Sequence, residues 1–283
     1  MIVFDKKTAL TSSISTFKAS SKRIGFVPTM GALHPGHLSL IKIAKNENDL
    51  VVASIFVNPT QFNNPEDLKN YPRTLESDKE LLIGVNTDIL FFPSVEEMYP
   101  PNEVENEAYH FGSLENVMEG KHRPGHFNGV ARIVSKLFRI VSPDAAYFGE
   151  KDFQQLAIIR EFAKQMNSTI KIIGCPTVRE TDGLAMSSRN VLLDPEERKE
   201  ATQISKALFF VRDDKKHDSV KEIRKKAIEQ IEQSGMMQVE YLEIADEEKL
   251  QPVSDWNFFS PVRCFTAVKL GKVRLIDNVP LNN

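Results

Sequence analysis

Apolar runs of strand length alternate with amphipathic segments across residues 1–176. Residues 50–57 and 88–92 are nearly continuous runs of apolar β-formers, the pattern of strands buried on both faces. Shorter apolar runs predict strands at 23–28, 144–148 and 170–173. The spacing of apolar residues between these runs predicts helices at 5–20, 37–47, 74–84, 130–141 and 152–166. Strands that alternate with helices predict an α/β fold with a Rossmann-like, doubly wound parallel sheet.

The pattern changes after residue 176. Two charged amphipathic helices are followed by alternating strands, and the last of these fold into a hairpin around Gly271. The predicted elements are helices at 194–211 and 217–234 and strands at 237–246 and 261–277. This order predicts a separate, smaller C-terminal α+β domain. We therefore expect two domains, at 1–176 and 177–283.

Two stretches rich in proline and other breakers interrupt the predicted elements. Residues 93–107 predict an excursion at the edge of the sheet. Residues 119–129 predict a basic loop, which is either a solvated surface loop or a lid that contacts an anion. Its basic side chains are Lys121, His122, Arg123 and His126.

Composition excludes several classes of protein. The 283 residues are 41% hydrophobic and 27% charged, which is ordinary for a globular protein. A net charge of −3 provides no global attraction for nucleic acid, and the longest apolar runs are too short to span a membrane. Two distant cysteines, Cys175 and Cys264, and an N-terminus without a signal-length apolar stretch favour reduced thiols in the cytoplasm.

Two histidines, His34 and His37, lie where the predicted strand at 23–28 passes into the predicted helix at 37–47. Ligands of open α/β sheets bind at that edge, and the N–H groups at a helix N-terminus suit phosphate. Gly36 between them lets a ligand lie against the backbone. The turn is half of a metal site, a purely structural turn, or a pair of imidazoles that stabilise phosphate charge during nucleotidyl transfer.

A second glycine turn, Gly149-Glu-Lys151-Asp152, follows the strand at 144–148. Lys151 would neutralise phosphate charge, or it is a solvated lysine beside Asp152, which is placed to cap the next helix. Residues 183–190 form a third, small and cationic segment. That segment is either a solvated linker or a mobile loop that closes over a triphosphate.

Two glutamines complete the candidate chemistry. Gln61 follows the strand at 50–57, and Gln155 lies four residues after Lys151 on the same helical side. Together they would bind hydroxyl groups or a carboxylate without carrying charge, although buried glutamines that satisfy backbone groups explain the pattern equally well. Tyr71-Pro-Arg73 is a loop tail or a wall of the same pocket.

Six motifs of this chain occur together in one known family. They are Pro28-Thr-Met-Gly-Ala-Leu-His34-Pro-Gly-His37, Phe56-Val-Asn-Pro-Thr-Gln61-Phe62, Tyr71-Pro-Arg73, Arg123-Pro-Gly-His-Phe-Asn-Gly-Val130, Phe148-Gly-Glu-Lys151-Asp152-Phe-Gln-Gln155, and Arg179-Glu180 with Gly183-Leu-Ala-Met186-Ser187-Ser188-Arg189-Asn190. In order and in length the chain resembles the pantothenate synthetase family. The first and last motifs also resemble the two signatures of the wider nucleotidylyltransferase and class I aminoacyl-tRNA synthetase superfamily, the second without its usual lysines.

The resemblance implies ATP-dependent condensation of pantoate with β-alanine to pantothenate, with release of AMP and pyrophosphate. It implies Mg²⁺, a cytoplasmic homodimer, an ATP- and pantoate-binding domain at 1–176 and a lid at 177–283. By the same likeness, Gln61 and Gln155 hold pantoate, Gln61 also lies near β-alanine, and His37 is the proton donor. The expected ATP contacts are Met30, Gly31, Ala32, Leu33, His34, Pro35, Gly36, His37, Gly149, Glu150, Lys151, Asp152, Val178, Met186, Ser187, Ser188 and Arg189.

The residues and the resemblance converge on activation of a carboxylate as an acyl adenylate. We predict that His34 and His37 donate to phosphate oxygens, and that Lys151 and Arg189 carry much of the anionic charge. Asp78 and Asp152 are candidate ligands of Mg²⁺, which would otherwise touch only phosphates and water. Three alternatives remain at this point: a transferase that stops at an adenylated or cytidylylated product, a fragment of a tRNA synthetase, and a nucleotide sensor without activity.

Overall fold

The computed structural model describes residues 1–101, 108–214, 217–257 and 260–281. The chain forms two compact units. The first comprises Met1–Phe111, Arg123–Glu150 and Gln155–Pro176. The second comprises Gly112–His122, Lys151–Gln154 and the chain from Thr177 onward. The predicted roles of 1–176 and 177–283, as catalytic domain and lid, stay predictions.

The first unit is built on a parallel sheet of six strands, as the sequence predicts. The strands are β1 (Ile2–Phe4), β2 (Ile24–Thr29), β3 (Leu50–Ile55), β4 (Ile89–Phe91), β5 (Ala145–Gly149) and β6 (Lys171–Cys175). Their order is β1-β4-β3-β2-β5-β6, and each neighbouring pair is parallel. All six residues of β3 are buried, which explains its unbroken apolar pattern. The predicted Rossmann-like fold is confirmed.

Helices cover this sheet. In the first unit they are α1 (Lys7–Ala19), α2 (Pro35–Glu47), α3 (Pro65–Asn70), α4 (Leu75–Gly84), α5 (Val95–Met98), α7 (His126–Val141) and most of α8 (Phe153–Gln165), while α6 (Met118–His122) belongs to the second unit. Leu40, Ile41 and Ala44 of α2 are buried against strand residues such as Val27 and Val51. Each buried Leu or Ile side chain contributes about 1.5–3 kcal/mol.

The second unit combines helices with an antiparallel sheet, which confirms the predicted α+β class. It contains α9 (Pro195–Glu200), α10 (Thr202–Asp214), α11 (Val220–Glu232), β7 (Met237–Asp246), β8 (Val262–Leu270) and β9 (Val273–Pro280). The strand order is β7-β8-β9, and both pairs are antiparallel. Gly271, with φ of +55°, makes the turn of the predicted hairpin. No helix among the described residues is long and apolar enough to cross a membrane.

Two segments that precede Thr177, Gly112–His122 and Lys151–Gln154, belong to the second unit because polar side chains hold them there. Gln154 donates to the carbonyls of Leu114 and Val117 and accepts from the amide of Glu119. Arg274 of β9 forms a bidentate pair with the Glu119 carboxylate at 2.6 and 2.8 Å. Both segments are therefore held within the C-terminal unit.

Several predicted boundaries are wrong. Residues 119–129 are not a continuous loop, because α6 occupies 118–122 and α7 begins at His126, four residues before the predicted start. Gly125, with φ of +81°, provides the cap that lets α7 begin so soon after Pro124. The predicted helix at 194–211 is two helices that meet at Ala201. The excursion at 93–107 contains α5, and its residues 102–107 lie outside the described residues.

Candidate active site

Three turns of interest follow three neighbouring strands of the parallel sheet. The histidine turn follows β2, the turn of Gln61 follows β3, and Gly149 ends β5, while β2 lies between β3 and β5. The carboxyl ends of parallel strands meet at one edge. The strand order reverses between β2 and β5, since β3 and β4 follow on one side of β2, and β5 and β6 follow on the other. Such a switch point is where open α/β sheets bind ligands.

The histidine turn is a reciprocal helix cap. The chain leaves β2 through Gly31 and Ala32, both in the left-handed region with φ of +80° and +49°. His34 Nδ1 accepts from the Gly36 amide at 3.2 Å, and His37 Nδ1 accepts from the His34 amide at 3.3 Å. The two ring centroids are 4.0 Å apart. Two orphan amides at the start of α2 are satisfied in this way.

These hydrogen bonds assign the tautomer of both imidazoles. A neutral ring that accepts at Nδ1 carries its proton on Nε2, which is then a donor. The arrangement suits donation to phosphate oxygens. The metal interpretation has no support, since no three His, Cys, Asp or Glu side chains of the described chain are grouped as a metal site requires.

Asp78 of α4 holds the histidine turn by accepting hydrogen bonds from its main chain. Its carboxylate accepts from the amides of Ala32 at 2.9 Å and Leu33 at 2.8 Å and from the Thr74 hydroxyl at 3.1 Å. The residue is 1% exposed. A Cβ at Gly31 would lie 3.0 Å from its Oδ2. The sequence singled out Asp78 only as a candidate magnesium ligand, and no local pattern reveals this clamp.

Gln61 lies in a short 3₁₀ turn, Pro59–Gln61, and its amide is oriented by Asn58. The Asn58 Oδ1 accepts from the hydroxyls of Tyr99 and Thr60, so its Nδ2 faces and donates to Gln61 Oε1 at 3.1 Å. Gln61 Nε2 is thereby directed at the Met30 sulfur, 2.9 Å away. Asn58 is 1% exposed and was missed as a contributor to the site.

The main-chain carbonyl of Gln61 accepts hydrogen bonds from two residues of the predicted basic loop. His126 Nδ1 donates to it at 2.8 Å, and Arg123 donates at 3.3 Å. Arg123 also donates to His126 Nε2 at 3.2 Å. An added Cβ at Gly129 would clash with the Thr60 carbonyl oxygen, so glycine permits this close approach of α7. Arg123 and His126 support the glutamine turn here, and only Lys121 and His122 of the four are exposed.

The other first-unit candidates are more open. Gly149 is half-buried, and a Cβ there would meet no atom within 4 Å. Gln155 is half-buried in α8. Arg73 lines a largely apolar cavity of about 400 Å³ together with Met30, Gly31 and Asp78. Its guanidinium donates to the carbonyls of Leu68, Lys69 and Tyr71 at the end of α3.

The second unit carries the remaining candidates. Lys151 and Asp152 lie in the 3₁₀ turn Glu150–Asp152, with Lys151 Nζ 4.0 Å from the Asp152 carboxylate. Val178 accepts at its carbonyl from the amide of Met186 at 3.0 Å, so the structure brings together two predicted ATP contacts that are distant in sequence.

Residues 183–190 are a hydrogen-bonded segment, which argues against a solvated linker. Arg179 and Ala185 form an antiparallel bridge. Ser187 caps a 3₁₀ turn, Ser188–Leu192, by accepting from the Arg189 amide, and Asn190 donates to the Ala185 carbonyl at 3.1 Å. Ser188 is buried and Arg189 half-buried.

Comparison with known proteins identifies the family. A model described as pantoate-beta-alanine ligase matches residues 2–280. The chain belongs to the pantoate-beta-alanine ligase family. Its activity is that of the family, ATP-dependent condensation of pantoate with β-alanine, and the transferase, tRNA synthetase and sensor alternatives are excluded.

Individual relatives agree over nearly the whole chain. It is 52% identical to the pantothenate synthetase of Bacteroides fragilis over 95% of each chain. It is 48% identical to that of Flavobacterium psychrophilum over 99% of this chain and 100% of the relative. The crystal structure of pantothenate synthetase from Thermus thermophilus matches all of both chains with a TM-score of 0.94 and 42% identity.

A further ligase structure, from Francisella tularensis, was determined in complex with β-γ ATP and β-alanine. It matches all of this chain and 98% of its own with a TM-score of 0.83 and 39% identity. The sequence-based assignment to the family is confirmed, whereas the individual site residues stay predictions.

Proposed function

We propose that this ligase works through a pantoyl-adenylate intermediate. A pantoate carboxylate oxygen attacks the α-phosphorus of ATP, the bond from that phosphorus to the bridging oxygen breaks, and pyrophosphate leaves. The amine of β-alanine then attacks the acyl carbonyl, loses a proton and displaces AMP. Negative charge shifts among phosphate oxygens in both steps, so the protein's task is to position donors.

The tautomer of the two histidines carries this proposal. Because backbone amides occupy Nδ1 of His34 and His37, the Nε2–H groups are donors without any need for protonation. We assign both groups to phosphate oxygens, where they stabilise the charge of the leaving phosphate as hydrogen-bond donors. The role of proton donor that the resemblance implies for His37 would require its protonated form, since a neutral imidazole that gave up Nε2–H would become an imidazolate.

Gln61 is suited to bind pantoate. Its Nε2 faces a thioether sulfur, which is a weak acceptor, so an oxygen of pantoate would be a stronger partner. The amide cannot turn without losing the Asn58 hydrogen bond. We place Gln155 on the same substrate by the family resemblance, and Gln61 also near β-alanine.

Lys151 and Arg189 are proposed to carry the charge of the triphosphate. The remaining proposed ATP contacts are those at 30–33, 35–36, 149–150 and 152, together with Val178 and 186–188. Lys151 has a side chain that is 18% exposed. A partly buried ammonium interacts with phosphate more strongly than a solvated one.

Mg²⁺ is implied by the family, and the described residues do not offer it a ready-made site. Both oxygens of Asp78 accept backbone N–H groups, and Asp152 is exposed. We propose that phosphate oxygens and water hold the ion, where it neutralises charge. We also propose a cytoplasmic homodimer, supported by the resemblance and by two free, buried cysteines.

Single-turnover assays test the assignment of the histidines. Protein, ATP, Mg²⁺ and pantoate are mixed with and without β-alanine, and pyrophosphate and AMP are followed. Pyrophosphate should appear without the amine, and AMP only with it. We expect His37→Ala to slow adenylate formation by about 10²–10³-fold, the effect of losing one oxyanion donor.

His110→Ala is the matched control, because His110 is an exposed histidine of the same unit. It should keep the wild-type rate. Unchanged rates in both His37→Ala and Lys151→Ala would disprove the proposed roles, and pyrophosphate release that requires β-alanine would disprove a free adenylate-forming step.

A further inference from the structure

Two polar residues of β9, Asp277 and Asn278, are buried in a strand of the C-terminal unit. They are 4% and 3% exposed. Nothing in the sequence pattern assigned them a role. Buried polar groups are retained where their hydrogen bonds are made, so their partners indicate what they do.

The side-chain amide of Asn278 holds the main chain of Lys151. Its Nδ2 donates to the Lys151 carbonyl at 2.8 Å, and its Oδ1 accepts from Arg263 at 2.7 Å. Arg263 is itself fixed, since it pairs with Glu247 at 2.9 Å and stacks 4.0 Å above the Phe153 ring. The amide orientation is therefore determined: oxygen towards Arg263, nitrogen towards Lys151.

Asp277 holds the other phosphate-directed segment. Its carboxylate pairs with both terminal nitrogens of Arg179 at 2.7 and 2.9 Å. Arg179 also donates to the carbonyls of Gly183 at 3.0 Å and Asn278 at 3.1 Å. Arg179 starts the hairpin that leads to Met186, so adjacent residues of one strand hold two segments that are far apart in sequence.

We propose that Asn278 is a positioning residue that sets the location of the Lys151 ammonium group; this rests on the proposed role of Lys151 at the phosphates. The hydrogen bond is made to the Lys151 carbonyl itself, so loss of the bond displaces the origin of the side chain directly. A displacement of about 1 Å at a reacting group can lower a rate about 10²-fold. Asp277 supports the same arrangement through Arg179.

Asn278→Asp is the sharpest test. The substitution is isosteric and keeps the acceptor for Arg263. It places a carboxylate oxygen against the Lys151 carbonyl oxygen, and since both are acceptors, no hydrogen bond forms between them. We expect adenylate formation to fall about 10–100-fold, and the ion pair gained with Arg263 should offset part of the stability lost at the Lys151 carbonyl. Asn257→Asp, at an exposed site in the same unit, makes the same change of charge and should leave the rate of adenylate formation unchanged. Asn278→Ala, which removes the donor without adding charge, replaces Asn278→Asp if that variant is unstable.

A double-mutant cycle with Lys151→Ala separates positioning from a general structural effect. If Asn278 acts through Lys151, its substitution should have no further effect once Lys151 is alanine. Equal losses in both backgrounds, or no loss in the wild-type background, would overturn the proposal while leaving the role of Lys151 intact. A neutral Lys151→Ala would instead refute the proposed function of Lys151, and the positioning role with it.

Discussion

Replacing Asp78 with asparagine should loosen the turn that carries both histidines. Asp78 Oδ2 accepts from the Ala32 amide, while Oδ1 accepts from the Leu33 amide and the Thr74 hydroxyl. An asparagine retains one oxygen, so at best it keeps the two bonds of Oδ1 and sets an NH₂ group against the Ala32 N–H. Ala32 already has a φ of +49°, a conformation that costs an L-residue about 1–2 kcal/mol.

The magnitude follows from the bonds that change. One charge-assisted hydrogen bond, worth about 1.5–3 kcal/mol, is lost, and the two that remain lose about half their strength. The relief of burying a neutral amide in place of a carboxylate offsets part of this loss. We expect the free energy of unfolding of the variant to be about 2–3 kcal/mol lower than that of the wild type. Because the histidine turn shifts, adenylate formation should fall by at least about 10-fold.

Urea denaturation and single-turnover adenylate formation measure the two effects separately. Thr74→Val is the matched control, since it removes only the hydroxyl bond to Oδ1 and leaves both turn amides paired. That variant should lose about 1 kcal/mol of stability and keep its rate. Asp78 would not hold the histidine turn in this way if Asp78→Asn matched wild type in both measurements, or if Thr74→Val slowed the reaction equally.

Two further predictions concern packing and ionisation. Gly129→Ala should raise the KM for pantoate and destabilise the protein by about 1–3 kcal/mol, because the new Cβ displaces the Thr60 carbonyl beside Gln61. Gly84→Ala is the control, since there is open space at its Cβ. Equal kinetics in the two variants would contradict the prediction. Burial raises the pKa of the Cys175 thiol to about 11 from 9.0, so the native protein favours the protonated thiol. The contribution of this protonated thiol to the stability of the fold is complete below pH 9 and disappears as the pH rises through about 11. Cys175 should accordingly resist alkylation at about pH 8 until the protein is denatured, as mass spectrometry of Cys264→Ser would show, and rapid labelling of the native variant would contradict this.

Local patterns predicted most elements because burial on both faces leaves a simple signature. The apolar run at 50–57 became β3, with every residue buried. No local pattern predicts β1, because its three residues are too few for periodicity and because Ile2 and Val3 are about half exposed at the sheet edge. Local patterns also failed at α6 and α7, where Gly125 caps a helix immediately after a proline.

The sequence by itself determined the family, the fold class and the histidine turn, since each depends on neighbours along the chain: apolar spacing, breakers, and two imidazoles within one helical turn. Only the tertiary structure decided how that turn and Lys151 are held. Asp78 reaches the turn across 46 residues and Asn278 reaches Lys151 across 127. A buried polar side chain takes its role from the donor or acceptor that folding brings to it, and no local pattern of residues records that partner.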